Sequence, residues 1–156
     1  MRTRMALVGL AAGAVLALGG ATSTASAQDA DQNKALFSVV VNQVYNAGDL
    51  ALADDLVATN ITSNGSPLGR DGFKAMVKDQ RAAGGQLKVD ELVADGDRVI
   101  GRVTRTGASG DPKSEILVLR IRDGQITEQW TMADEPALRQ QFGLRGTAGA
   151  PAASAN

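Results

Sequence analysis

Apolar residues recur at helical spacing between Asn33 and Asn46: Leu36, Val40 and Val44 form one row, and Phe37, Val41 and Tyr45 repeat it one position on. Val39 widens the stripe, so this first helix should be covered on most sides. Gly48 is a natural stop, and Asp49 can cap a second helix whose Leu50, Ala53, Leu56 and Val57 fall on one side. Asn60 to Ser63 is a short β candidate. Gly65, Ser66 and Pro67 then break regular structure within Asn64 to Gly69. A third helix is predicted from Asp71 to Ala83, burying Phe73, Met76 and Val77 and ending at Gly84-Gly85.

From Leu87 onward the period changes to two. Leu87, Val89 and Val93 alternate up to Asp95-Gly96-Asp97, and Val99 and Val103 alternate away from it. A three-residue loop there pairs Val93 with Val99, Val89 with Val103, and Asp90 with Arg102. Gly107 to Asp111 makes the next turn, and Ser114 to Arg122 is the fourth strand. Asp123-Gly124 is a hairpin signal. With those two as loop residues, Leu117 faces Trp130, Leu119 faces Glu128 and Glu115 faces Met132. Alternation then puts Ile126, Glu128, Trp130, Met132 and Asp134 on one face, with Arg120, Arg122, Thr127 and Gln129 on the other. Glu135 to Leu144 reads as a closing helix with Pro136 in its first turn and Leu138, Phe142 and Leu144 free to pack back.

The pattern is α+β: a curved antiparallel sheet with three N-terminal helices covering one face, a pocket between the layers, and a short C-terminal helix. Residues 146–156 have nothing to bury and are expected to be disordered. Gln28 to Gln32 reads as a polar, mobile lead-in.

The first 27 residues differ in kind from the domain that follows. Arg2 and Arg4, the apolar run from Met5 to Gly20, and Ala25-Ser26-Ala27 have the form of a secretory signal peptide cleaved after Ala27. The expected localisation is therefore secreted or periplasmic. Removal of those residues leaves 129, with 14 basic side chains against 17 acidic ones. That size suits one domain with one core, spanning 28–145. Mild acidity without a basic patch argues against nucleic acid and, after cleavage, against a membrane surface as partner. The chain has no Cys and no His, which excludes thiol catalysis, thiolate metal sites and a Ser/His/Asp triad. No metal and no cofactor are expected.

The order of elements resembles the SnoaL-like polyketide cyclase branch of the nuclear-transport-factor-2-like superfamily. The pieces that carry the resemblance are Asn33 to Leu50, Gly69 to Met76 (GRDGFKAM), Leu92 to Arg102 (LVADGDRVIGR), Leu119 to Trp130 (LRIRDGQITEQW), and Asp134 followed by LRQQFGL. The resemblance implies a cone of curved sheet and helices around a cavity for a small hydrophobic molecule, and frequently a homodimer through the sheet. It also implies that the acidic residue four places after the Trp, Asp134 here, acts as general acid/base in an aldol ring closure without metal or cofactor. Positions where family members commonly place histidines hold Asn64, Ser109 and Gln129 in this chain.

Asp134 is accordingly the candidate catalytic residue, with helix capping as the competing role for an Asp in that place. Tyr45, Asn64, Phe73, Glu115, Leu117, Leu119, Trp130 and Met132 are the candidate ligand-binding residues. Tyr45 could donate to a ligand oxygen, Asn64 could orient a carbonyl, Glu115 could be a second carboxylate, and Trp130 could form a pocket wall. Two functions fit these residues: a cofactor-free cyclase or isomerase, and an exported binding module that uses the same cavity without chemistry.

Overall fold

A computed structural model describes residues 21–108 and 110–144, with side chains from Asp29 onward. The expected signal segment up to Gly20 and the expected tail lie outside the described residues. The first helix, α1 (Ala21–Val39), runs on as a π-helical segment (Val40–Ala47). It starts well before Asn33 and takes in Gln28 to Gln32, because no Gly or Pro interrupts the Ala-rich sequence that precedes the packed part. Phe37, Val40, Val41, Val44 and Tyr45 are buried, whereas Val39 is 40 % exposed and does not join the stripe.

Gly48 ends the segment with φ of 78°, a left-handed conformation that suits glycine. The side chain of Asp49 then accepts a bond from the Leu52 N–H at 3.0 Å and opens α2 (Leu52–Leu56). That helix is shorter than its apolar spacing suggests. Val57 already belongs to β1 (Val57–Ser63), where it stands opposite Ile126. After β2 (Ser66–Pro67) comes α3 (Gly69–Ala82), whose Phe73 and Val77 are buried. The sheet continues with β3 (Gln86–Asp95), β4 (Arg98–Gly107), β5 (Gly110–Arg122) and β6 (Gln125–Ala133), and α4 (Pro136–Gln141) closes the described chain.

The six strands form one curved, unclosed sheet in the order β2-β1-β6-β5-β4-β3. All neighbours are antiparallel except β1 and β6, which run parallel. The N-terminal helices and α3 cover the inner face, with Val99, Val103, Leu117, Leu119, Ile121 and Ile126 beneath them. Phe37 reaches the sheet because β4 has no side chain at Gly101, where a Cβ would come within 2.4 Å of the Phe37 ring. On the outer face, Ile100, Ile116 and Val118 pack against Leu138, Phe142 and Leu144 of the C-terminal segment.

Two bulges overturn part of the expected register. In the β3–β4 hairpin Asp95 pairs with Arg98, so the loop has two residues. Val93 then stands opposite Ile100 instead of Val99. Asp90 is the extra residue that restores the expected pairing of Val89 with Val103, and Arg102 faces Glu91. In the β5–β6 hairpin the expected pairing holds at Arg122–Gln125 and Ile121–Ile126. It then shifts at Thr127, so that Arg120 meets Glu128, Val118 meets Trp130 and Leu117 meets Thr131. One unpaired residue reverses which face every later side chain of β6 occupies.

Candidate functional site

Because of the bulge at Thr127, Gln129 lies on the inner face and Trp130 and Met132 on the outer one. The apolar face expected from Leu117, Leu119, Trp130 and Met132 therefore does not exist. Leu117 and Leu119 belong to the helix-covered core, while Met132 packs in the outer cluster and Trp130 is 38 % exposed.

The middle of the inner face is polar at one point. Gln129 is only 3 % exposed and accepts a 2.6 Å hydrogen bond from the Tyr45 hydroxyl at its Oε1. Its Nε2 donates to Ser63 Oγ at 3.1 Å and to Met76 Sδ at 3.4 Å. Since Tyr45 fixes which end of the amide is the acceptor, Ser63 receives from Gln129 and keeps its own hydrogen to donate. The Tyr45 ring meets Phe73 edge-on, with centroids 5.5 Å apart. Burial pushes the Tyr45 hydroxyl well above its ordinary 10.0, against a smaller downward pull from the Arg105 charge. Tyr45 is therefore a neutral donor across the physiological range.

Asn64 sits at the end of β1 with φ of 48°. Its side-chain oxygen accepts from the Thr131 N–H at 2.9 Å, and its own N–H donates to the Gln129 carbonyl at 2.9 Å. The amide oxygen is spent on holding β6. Beside it, Gly65 leaves the space that the Trp130 ring edge fills.

The far end of the inner face carries charge. Glu115, opposite Ala133, takes both carboxylate bonds from Arg105 Nε at 3.0 and 2.9 Å. Arg105 and Lys113 line a cleft of about 290 Å³ between the end of α3 and the β4–β5 turn, together with Gln80, Gly85 and Ala108. Asp134 follows β6 at this same end, five residues beyond Gln129, or roughly 16 Å at the rise of a strand. Its side chain is 2 % exposed. Oδ2 accepts from Ser114 Oγ at 2.5 Å and from Arg139 Nη1 at 3.2 Å, while Oδ1 is buried with no hydrogen-bond partner among the described residues. Asp134 does not cap α4, which begins after Glu135 without a side-chain cap. The result is a carboxylate with one oxygen doubly hydrogen-bonded and the other buried without a donor.

Among the described residues no group of three or more acidic side chains is gathered closely enough to hold a metal ion. Gln129, Ser63, Arg105 and Arg139 are the inner-face and Asp134 partners that pattern reading did not select. Gln129 was assigned to the wrong face by strict alternation, and the other three carry no local signal beyond being polar near a strand or helix end.

The family model described as SnoaL-like polyketide cyclase matches residues 36–142. No curated protein matches the chain. Among solved structures, a loop-truncated variant of IdmH from Streptomyces antibioticus is 25 % identical, with a TM-score of 0.57 over 65 % of this chain and 92 % of that one. A SnoaL-like polyketide cyclase from Agrobacterium tumefaciens is 18 % identical, with a TM-score of 0.57 over 71 % of this chain and 98 % of its own. TsrD from Streptomyces laurentii is 22 % identical, with a TM-score of 0.57 over 74 % and 97 %. The last two likenesses show the fold alone.

Proposed function

Because the chain belongs to the SnoaL-like polyketide cyclase family, we propose that it binds a small hydrophobic carbonyl compound and that Asp134 moves a proton on it without a cofactor. The observation that carries this reading is the unpartnered Oδ1 of a side chain only 2 % exposed. A buried carboxylate oxygen without a donor is costly, and native structures keep such groups mainly where function uses them. In the reaction, Oδ1 accepts a proton from carbon next to a carbonyl and leaves an enolate. The enolate carbon attacks a second carbonyl of the same molecule, closing a C–C bond, and the carboxylic acid returns its proton to the new alkoxide. For an isomerase the same proton returns to a different carbon.

Asp134→Asn keeps the size and polarity of the side chain but cannot take a proton. It should lower turnover of a hydrophobic carbonyl compound by at least about 100-fold in protein that remains folded at the assay temperature. Unchanged turnover contradicts the assignment.

A second reading, binding without chemistry, is favoured by Gln129. The buried centre of the inner face is built on an amide, which exchanges no proton at neutral pH, in a chain without histidine. On this reading hydrophobic ligands raise thermal stability equally in wild type and Asp134→Asn.

Export and self-association complete the proposal. Export rests on Arg2, Arg4, the apolar run and the Ala25-Ser26-Ala27 ending. Cleavage after Ala27 trims the start of α1 and spares the packed part from Phe37 onward. For self-association the outer face offers an open groove of about 430 Å³, where Trp130, Met132 and Phe142 are rimmed by Arg98, Arg120, Asp95 and Glu128. A mixed-sign rim around an apolar centre can meet its own copy across a two-fold axis.

A further inference from the structure

We propose that Arg139 is a positioning residue which, with Ser114, pins one oxygen of Asp134 and leaves the other to face the reacting proton. The inference rests on the reading of Asp134 as the base and extends it to residues outside the inner face. Both donors converge on the same atom: Ser114 Oγ at 2.5 Å and Arg139 Nη1 at 3.2 Å reach Oδ2, and none reaches Oδ1. A carboxylate with two free oxygens rotates about its last torsion and presents either. Two donors from different elements hold this one in a single orientation, as a base must be held to meet a C–H in line.

The two donors come from different elements on the outer side of the sheet. Ser114 is on β5, just before Glu115, which stands opposite Ala133. Arg139 is on α4, a short helix kept in place by Leu138, Phe142 and Leu144 against the outer sheet face. The C-terminal segment thus does more than cover apolar surface, because it delivers the cation that orients an anion at the strand end. Other charges nearby do not replace it. Glu115 is neutralised by Arg105, Glu135 is exposed to solvent, and Lys113 is exposed at the far edge of the cleft.

The test follows the Asp134 carboxyl carbon by NMR in full-length protein labelled with ¹³C-aspartate, as pH is varied, in wild type, Arg139→Gln, Arg139→Lys and Ser114→Ala. Removing a cation beside a buried carboxylate favours its protonated form. Arg139→Gln should therefore move the Asp134 titration midpoint upward relative to the wild type. Arg139→Lys should restore most of that change, and Ser114→Ala should give a smaller shift in the same direction. In turnover, Arg139→Gln should lower kcat more than it raises KM. A midpoint that stays at the wild-type value in both Arg139→Gln and Ser114→Ala overturns the proposal, even if the variants are less stable. Should Arg139→Gln fail to fold, Ser114→Ala and Arg139→Lys carry the same comparison. If Asp134→Asn retains turnover while the midpoint still moves, the assignment of the base is what fails, since the NMR readout does not depend on it.

Discussion

The hydroxyl of Tyr45 donates a 2.6 Å hydrogen bond to Oε1 of Gln129 across the inner face of the sheet, joining the π-helical segment to β6 over 84 residues of sequence. Tyr45→Phe removes the donor and strands a buried amide oxygen, which should cost about 1–3 kcal/mol in urea unfolding. The bond also has a pH signature. Burial raises the folded-state value of Tyr45 above the 10.0 of an unfolded chain. Its contribution is therefore complete below the unfolded value and is lost as pH rises from there toward the folded one. Stability should fall by about 1.4 kcal/mol per unit on that limb, and comparing unfolding midpoints at about pH 8 and pH 11 should show a flatter limb in Tyr45→Phe.

Gly101 faces Phe37 so closely that a methyl group cannot be added without moving one of them. The added Cβ would lie 2.4 Å from Cζ of a ring that is wholly buried. Gly101→Ala should destabilise by about 1–3 kcal/mol through overpacking, although alanine is otherwise better suited than glycine to a strand. Thermal unfolding measures it. Trimming the ring in Phe37→Leu should relieve part of the penalty when combined with Gly101→Ala, which a double-mutant cycle reads directly.

Asp90 sits at the β3 bulge. Burial alone would raise its carboxyl, but hydrogen bonds from Thr104 and Lys88 and the charges of Lys88 and Arg102 outweigh that and hold it below the ordinary 3.8. A depressed folded-state value means stability that is present above the unfolded value and lost as pH falls through the folded one. Asp90→Asn should therefore cost stability at neutral pH and little in strong acid. The acid limb of a stability–pH profile for the two proteins is the check.

Trp130 is the only Trp in the chain, so its fluorescence reports the outer face without ambiguity. Acrylamide should quench it readily in dilute protein, and hydrophobic ligands of the inner face should leave its spectrum unchanged. If the outer face pairs two copies, quenching should diminish as protein concentration rises, and Trp130→Arg should abolish that dependence. Strong protection at all concentrations in Trp130-containing protein that is monomeric by sedimentation would contradict the outward placement of the ring.

Much of the fold is legible in the sequence because its punctuation is local. Gly48, Gly84 and Asp123-Gly124 bound elements through backbone conformations that few other residues adopt, Asp49 does so through its side-chain cap, and the Phe37 and Phe73 stripes identify the helices that must cover a sheet. The faces of β6 are not legible, because a bulge adds a residue without changing composition. Thr127 is as good a strand residue as its neighbours, yet it decides that Gln129 goes inward and Trp130 outward. Val57 escaped for a related reason, since an apolar residue at helical spacing can equally begin a buried strand. Arg139 could be placed on a helix by pattern, but its contact with Asp134 depends on how α4 docks, which is a tertiary property.

The central claim, that Asp134 is a base with one oxygen free to take a proton from carbon, is tested most directly by hydrogen–deuterium exchange at carbon. 2-Tetralone in D₂O at neutral pD is a probe with acidic C–H bonds beside a carbonyl, and proton NMR follows loss of those signals. Wild-type protein should accelerate the exchange above the buffer rate. Asp134→Asn should lose that acceleration by about 100-fold or more while binding and folding are retained. Equal acceleration by wild type and Asp134→Asn, or none by either with the ketone bound, would contradict the account.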